Sequence, residues 1–402
     1  MNIFPWFQPI IEIASGRVAG YEALARTRNE KGEVVSAAQI FCDAARSVEE
    51  RRDLDRHVRR QALARFAAQQ DNQFLTVNIS PQWIDSLLNL DLLPTLEMLK
   101  EAGVSPDRVV IEITELNGDI ERIRAFSERY RQEGVKIAFD DFGTGFQQLD
   151  RILAFRPDII KLDMRMFRHG AQEHQRSALL QMVGDMGARL GCKIICEGVE
   201  TPEEFFLALH CNASYIQGFI FDPALPDFVA EDAKRSQMNG LLNQHLDLAI
   251  DETTRRQWHA ERLHSELIAL RELLVSGGEG GLETHHPDED VLRFYICNRA
   301  GQQISPNYSY DLGIWHADDS VIGNNWSWRP YFYQLVGASD FERRVLRSSP
   351  YLDIATGERC YTLSLALDDT RVLLVDVKDR AKSNNRISSL ISCHSDLMPA
   401  LS

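Results

Sequence analysis

Between residue 70 and about residue 225 the chain alternates short, continuous apolar runs with longer amphipathic stretches: FLTVNIS, VVIEITE, VKIAFDDFG, IIKLD, KIICEGVE and YIQGFIF. Few folds accept that pattern. A short continuous apolar run is a strand buried on both faces, and an amphipathic stretch between two such runs is a helix that carries the chain back over a parallel sheet. Each run closes on a polar residue: Asn78, Glu112, Asp140, Lys161, Glu197 and Gln217. Their separations are 34, 28, 21, 36 and 20 residues, one strand and one helix per step. The spacing predicts a (β/α)8 barrel, in which the C-terminal ends of different strands converge on one mouth.

Upstream, FQPIIEI and RVAGYEALAR read as two strands joined at Ser15-Gly16. So short a connection suits an antiparallel hairpin and not a crossover, so the barrel is expected to be modified at its first strand. After Pro226 the pattern becomes a polar helical run to about Val275, with Leu263, Leu267, Leu270 and Leu274 at four-three-four spacing. That stripe suits either a partner helix, giving a homodimer, or packing on the chain's own domains. Residues 276–290, rich in glycine and acid, are expected as a flexible linker, with His285 and His286 solvated and not metal ligands. Beyond them LRFYICN, RCYTLSLAL and RVLLVDV are strand-like and suit a small α+β domain. The expected organisation is a modified TIM barrel over 1–232, a connecting helix and linker over 233–290, and the small domain over 291–402.

A formal charge of −15 disfavours bulk binding to nucleic acid or to an anionic membrane, because such partners are held by Lys and Arg. An anionic substrate would therefore need cations to recruit it. The N-terminal MNIFPWFQPIIEIASGRV lacks the pattern of a secretion signal and no run of 18 apolar residues occurs, so a cytoplasmic chain without membrane insertion is expected. Seven scattered cysteines without a CxxC pair read as reduced structural thiols.

The mouth would gather Glu22, Glu112, Asp140, Asp141 and Glu197 with the amide Asn78 and one lysine, Lys161. The carboxylates and the amide are hard oxygen donors, which select Mg²⁺ or Mn²⁺ over zinc. Carboxylates forced together raise each other's pKa, and divalent cations would hold them ionised. Two such ions, about 3.5–4 Å apart in two-metal sites, suit phosphodiester hydrolysis. A single acid at a strand end can be no more than a loop or helix cap, but six convergent positions are harder to explain that way.

These residues resemble the EAL-domain cyclic di-GMP phosphodiesterases over about residues 1–230. The signature stands at Glu22-Ala23-Leu24 followed by Arg26. VNIS holds Asn78, IEITE holds Glu112 and Glu115, and DDFGTG begins at Asp140; KLD holds Lys161, EGVE holds Glu197 and QGF holds Gln217. The resemblance implies that Glu22, Asn78, Glu112 and Asp140 bind one metal ion and that Asp140 and Asp141 serve the second, with Glu197 beside it. It implies that Lys161 holds the nucleophilic water within a catalytic set that includes Glu22 and Glu197. Leu24 and Arg26 would meet the substrate, Arg26 at a phosphate, and Glu115 would anchor a mobile loop over 141–146. Gln8 and Gln217 are read either as substrate contacts or as hydrogen-bond fillers. Gln147-Gln148 and Ala37-Ala38 depart from the family pattern, which bears on loop dynamics and rate and removes no ligand.

NNWSWRPYF and SSPYLDIATGERCYTLSLAL resemble a PAS-like or Cache-type sensor domain. Trp328, Arg329, Tyr331, Tyr351 and Asp353 are its candidate pocket residues, which could grip a small molecule such as an amino acid or could simply build core and staple a loop. The expected function is metal-dependent hydrolysis of the bacterial messenger cyclic di-GMP to linear pGpG, regulated by the C-terminal domain. The alternative is a catalytically silent cyclic di-GMP receptor.

Overall fold

Eight strands close on one another through backbone hydrogen bonds in a computed structural model that describes residues 2–43, 45–69, 72–80, 83–84, 93–114, 120–142, 156–168 and 173–379. β1 (Ile3–Glu12) and β2 (Val18–Arg28) form an antiparallel hairpin, the modification expected at the first strand. β3 (Val34–Ser36) extends the outer edge of β2. From β2 the sheet runs parallel through β4 (Phe74–Ile79), β5 (Val109–Thr114), β6 (Lys136–Phe142), β7 (Ile159–Asp163) and β8 (Lys193–Glu197) to β9 (Tyr215–Ile216). β9 then pairs antiparallel with β1 and completes the barrel. The helices between are α1 (Ala38–Cys42), α2 (Val48–Phe66), α3 (Pro94–Ala102), α4 (Ile120–Gln132), α5 (Glu173–Leu190) and α6 (Pro202–Leu209). α2 starts where it does because Ser47 and Glu50 cap each other's backbone N–H groups in a capping box.

The barrel's interior follows from the two-residue period of a strand. Val110, Ala138, Ile159, Ile195 and Tyr215 form one buried cluster with Ile10. Each of the five lies two residues before a polar strand end (Glu112, Asp140, Lys161, Glu197, Gln217), so plug and polar end share the inward face. On the reversed β1 the order inverts, and Gln8 lies two residues before Ile10.

Two compact units are present, Met1–Leu246 and Asp247–Ser402. In the second, β10 (Val291–Asn298), β11 (Asn307–Asp311), β12 (Ile314–Asp318), β13 (Val345–Arg347), β14 (Tyr351–Leu352), β15 (Arg359–Ala366) and β16 (Arg371–Lys378) form an antiparallel sheet of order β12-β11-β10-β16-β15-β13, with β14 also on β15. Phe294, Ile296, Leu373, Val375 and Val377 face Leu263, Leu267, Leu270 and Leu274 of the long helix α7 (Arg235–Gly277). The alternate residues Tyr295, Cys297, Val372 and Leu374 face α8 (Pro330–Val336). Of the two readings of the leucine stripe, the structure therefore takes packing within its own unit. Leu267→Ala is expected to cost about 2–5 kcal/mol through the cavity it leaves, read as a fall in urea midpoint that does not change with protein concentration. A concentration-dependent loss would return the stripe to a partner helix.

The segment expected as a flexible linker is instead ordered on this unit. Gly278–Thr284 is a 3-10 helix, and Leu282 is buried in the same core as the stripe. His285, expected in solvent, is largely buried, with Nε2 2.8 Å from Glu266 Oε1. Leu282 in the core, His285 against Glu266, and Asp288 and Asp290 paired with Arg262 hold the segment there.

Candidate functional site

Six strands each deliver one polar side chain to the mouth: Glu22 from β2, Asn78 from β4, Glu112 from β5, Asp140 from β6, Lys161 from β7 and Glu197 from β8. Register levels them, with Asn78 opposite Glu112 and Gln8 opposite Glu22. Lys161 stands at the centre, 1% exposed. Its Nζ lies 3.0 Å from Glu112 Oε1, 3.2 Å from Asp140 Oδ1, 3.2 Å from Glu197 Oε2 and 3.4 Å from Glu22 Oε2. Burial alone would lower the Lys161 pKa, but Asp140, Glu112, Glu197 and Glu22 outweigh it and hold the ammonium well above its ordinary value.

The carboxylates respond differently. Burial, then repulsion from Glu22, pushes Glu112 well up despite Lys161. Glu197 is likewise raised by burial, against the pull of Lys161, with Asp140 and Glu22 adding to the rise. Glu22 moves down although burial opposes it, because Lys161 attracts it and Gln217 and Asn78 donate to it. Those donors are Gln217 Nε2 to Glu22 Oε2 at 2.6 Å and Asn78 Nδ2 to Glu22 Oε1 at 3.0 Å. Gln217 Nε2 also donates to Gln8 Oε1 at 3.2 Å, and Gln8 Nε2 to the Asp222 carbonyl at 3.1 Å. Both glutamines thus orient the cluster from one side. Arg26 and Leu24 lie half-buried farther along β2, with Arg26 Nη1 donating to the Ala25 carbonyl. Glu115 and residues 143–150, including Gln147 and Gln148, lie outside the described residues, and Asp141 is placed only as backbone in β6.

Whether this donor set suits a divalent cation can be judged from its charge and its orphan atoms. Four carboxylates meet one lysine, leaving an excess of negative charge in a buried place. Glu112 is fully buried and, although its Oε1 is 3.0 Å from Lys161, neither of its oxygens is aligned for a hydrogen bond. An oxygen in that state suits a hard cation. Among the described residues no three of His, Cys, Asp or Glu are grouped to close on a metal as they stand, since the Lys161 ammonium takes the central place. The residues fit a cation in chemistry and charge.

In the second unit the sequence candidates separate. Trp328 is largely exposed, with Arg329 stacked 4.1 Å from its ring centre. Tyr331 is buried in the core under α8, while Tyr351 and Asp353 belong to a polar group centred on Arg293. Arg293 Nε donates to Asp376 Oδ2 at 2.8 Å, Arg293 also pairs with Asp353, and the Tyr351 and Thr362 hydroxyls donate to Asp376 Oδ1 at 3.0 and 2.8 Å. The arginine of the Arg-Asp pair is therefore Arg293, not Arg329. Its signal was a charge inside each of two apolar strands, Arg293 in LRFYICN and Asp376 in RVLLVDV.

Comparison with known proteins agrees with this division. The family model for the EAL domain matches residues 1–224, and that for the EAL-domain associated signalling protein domain matches residues 283–381. The uncharacterized EAL-domain containing protein YkuI of Bacillus subtilis is 28% identical over 388 residues, 94% of each chain. Its crystal structure, in complex with substrate c-di-GMP and calcium, covers 94% of this chain and 97% of its own with a TM-score of 0.83 and 25% identity. The cyclic di-GMP phosphodiesterase PA2567 of Pseudomonas aeruginosa is 28% identical over 57% of this chain, which spans only 40% of that protein. A manganese and cyclic di-GMP complex of Klebsiella pneumoniae BlrP1 gives a TM-score of 0.50 at 30% identity over 56% of each chain. The match of the second unit is to a signalling domain associated with EAL domains.

Proposed function

The chain belongs to the EAL-domain family, and on that premise we propose that its barrel hydrolyses cyclic di-GMP to linear pGpG with two Mg²⁺ or Mn²⁺ ions at the strand ends. The observation that carries the reading is the convergence of Glu22, Glu112, Asp140 and Glu197 on one buried lysine. Glu22, Asn78, Glu112, Asp140, Asp141 and Glu197 would hold the ions, which supply a hydroxide at neutral pH and neutralise charge on the phosphodiester.

The remaining work belongs to the protein's own groups. Lys161 Nζ is kept protonated by the carboxylates around it and donates to the oxygen of the attacking water as a point charge. Asn78 and Gln217 fix the rotamer of Glu22 by donating to one oxygen each. Arg26 offers a guanidinium fork to a substrate phosphate, Leu24 lies beside it, and Gln8 and Gln217 line the side of the mouth opposite Asp140 in strand order. Glu115 and the loop after Asp141 complete the reading by family likeness. The match of residues 283–381 to a signalling domain supports a regulatory role for the second unit.

Full-length protein incubated with cyclic di-GMP and Mg²⁺ or Mn²⁺ is expected to release linear pGpG. Glu22→Ala is expected to lower that rate at least about a thousandfold, a loss of about 4 kcal/mol in transition-state stabilisation. Equal absence of product from wild type and variant, with nucleotide still bound, would replace the hydrolase with a receptor.

A further inference from the structure

Away from the mouth, α2 carries Arg52, Arg56 and Arg59 at i, i+4 and i+7, the spacing that puts side chains on one helix face. All three line a cavity of about 30 Å³ on the barrel's flank, with Asp55, Trp83 and Tyr130 among the other lining residues. Among the described residues the lining carries three guanidinium groups and one carboxylate, Asp55, with Asp53 beside Arg52, in a chain of net charge −15.

The arginines are not fully used by their neighbours. Arg59 is buried, donates from Nη1 to Thr95 Oγ1 at 3.0 Å and from Nη2 to the Asn78 carbonyl at 3.3 Å, and pairs with Asp55. Its Nε is buried without a hydrogen-bond partner. Arg52 Nε is in the same state, its ion pair with Asp53 being 3.7 Å long. Burial, then the charge of Arg52, holds the Arg56 guanidinium below its ordinary value, which an added anion would reverse. Guanidinium forks present paired N–H donors that match tetrahedral oxyanions.

We propose that this cavity is a phosphate-class anion site, held by Arg52, Arg56 and Arg59 and distinct from the strand-end cluster. Trp83 makes it observable. Full-length protein freed of divalent cations is titrated with inorganic phosphate at constant ionic strength, in parallel with a simple phosphate monoester, while tryptophan emission and binding heat are recorded. The expected result is saturable binding, with an emission change lost in Trp83→Phe while the heat remains, and with Kd raised at least about tenfold in Arg56→Ala and in Arg52→Ala. Binding of phosphate alone identifies free phosphate as the ligand, and binding of both identifies a phosphoryl group. Arg56→Lys, which keeps the charge and loses the fork, is expected to fall between wild type and Arg56→Ala, and serves if an alanine variant does not fold. No saturable binding, or a wild-type Kd in the arginine variants, overturns the proposal.

Discussion

Lys161→Met is expected to abolish release of linear pGpG and, in the absence of divalent cations, to lower the melting temperature by on the order of 10 °C. Methionine nearly matches the length of lysine and removes its charge. Four carboxylates would then surround an apolar side chain, all within 3.4 Å of where Nζ now stands. Removing one partner from a buried charge network typically costs about 3–5 kcal/mol, because the remaining charges are left uncompensated. The deficit should shrink when Mg²⁺ or Mn²⁺ is added, since a cation supplies the missing positive charge. Melting curves of wild type and variant, with chelator and with cation, test this. A variant that melts like wild type in chelator would mean that the lysine does not hold the acids together.

Gly218→Ala is expected to destabilise the barrel by more than about 4 kcal/mol or to yield insoluble protein. A Cβ at Gly218 would stand 2.0 Å from the carbonyl oxygen of Val199 and 2.5 Å from its nitrogen. Both atoms are backbone and cannot rotate away. Val199 is itself tied on both sides, donating to the Gln217 carbonyl at 3.2 Å and accepting from Ile220 N at 3.0 Å. Relief of the clash must move Gln217, which supports Glu22 from 2.6 Å. Any folded fraction should therefore also lose turnover. The neighbouring Phe219, 66% exposed, is the control, and Phe219→Ala is expected to change stability by no more than about 0.5 kcal/mol. Wild-type melting and turnover in Gly218→Ala would refute the close approach on which the position of Gln217 depends.

Much of the barrel was legible because its strands are buried on both faces. Continuous apolar runs mark such strands, and the polar residue ending each run marks the mouth, so Asn78, Glu112, Asp140, Lys161 and Glu197 follow from the pattern alone. The hairpin at Ser15-Gly16 was legible from the shortness of its turn. Less visible was that Lys161 would be the centre of the cluster. Residue order along a chain carries no depth, and only the register between β7 and its neighbours brings Nζ within reach of four acids. The role of Gly218 was likewise hidden, since a glycine's meaning lies in what its missing Cβ would strike.

The second unit was harder to read for a different reason. Leu263, Leu267, Leu270 and Leu274 announce an apolar helix face, but periodicity does not say what covers it. The answer lay in the alternating residues of β10 and β16, far along the chain. Arg329 stands beside Trp328 where aromatics and arginine crowd together, whereas the arginine that pairs with Asp353 and Asp376 is Arg293, inside an apolar strand. Composition misled at 276–290, where glycine and acid suggested a free linker and Leu282 pinned the segment to the core.

Cation-dependent turnover tests the central claim most directly. Chelator-treated full-length protein should leave cyclic di-GMP intact, and adding back Mg²⁺ or Mn²⁺ should restore release of linear pGpG to wild-type protein and not to Glu22→Ala. Hydrolysis that proceeds equally in chelator, or nucleotide that binds and is never cut at any cation concentration, would contradict the account.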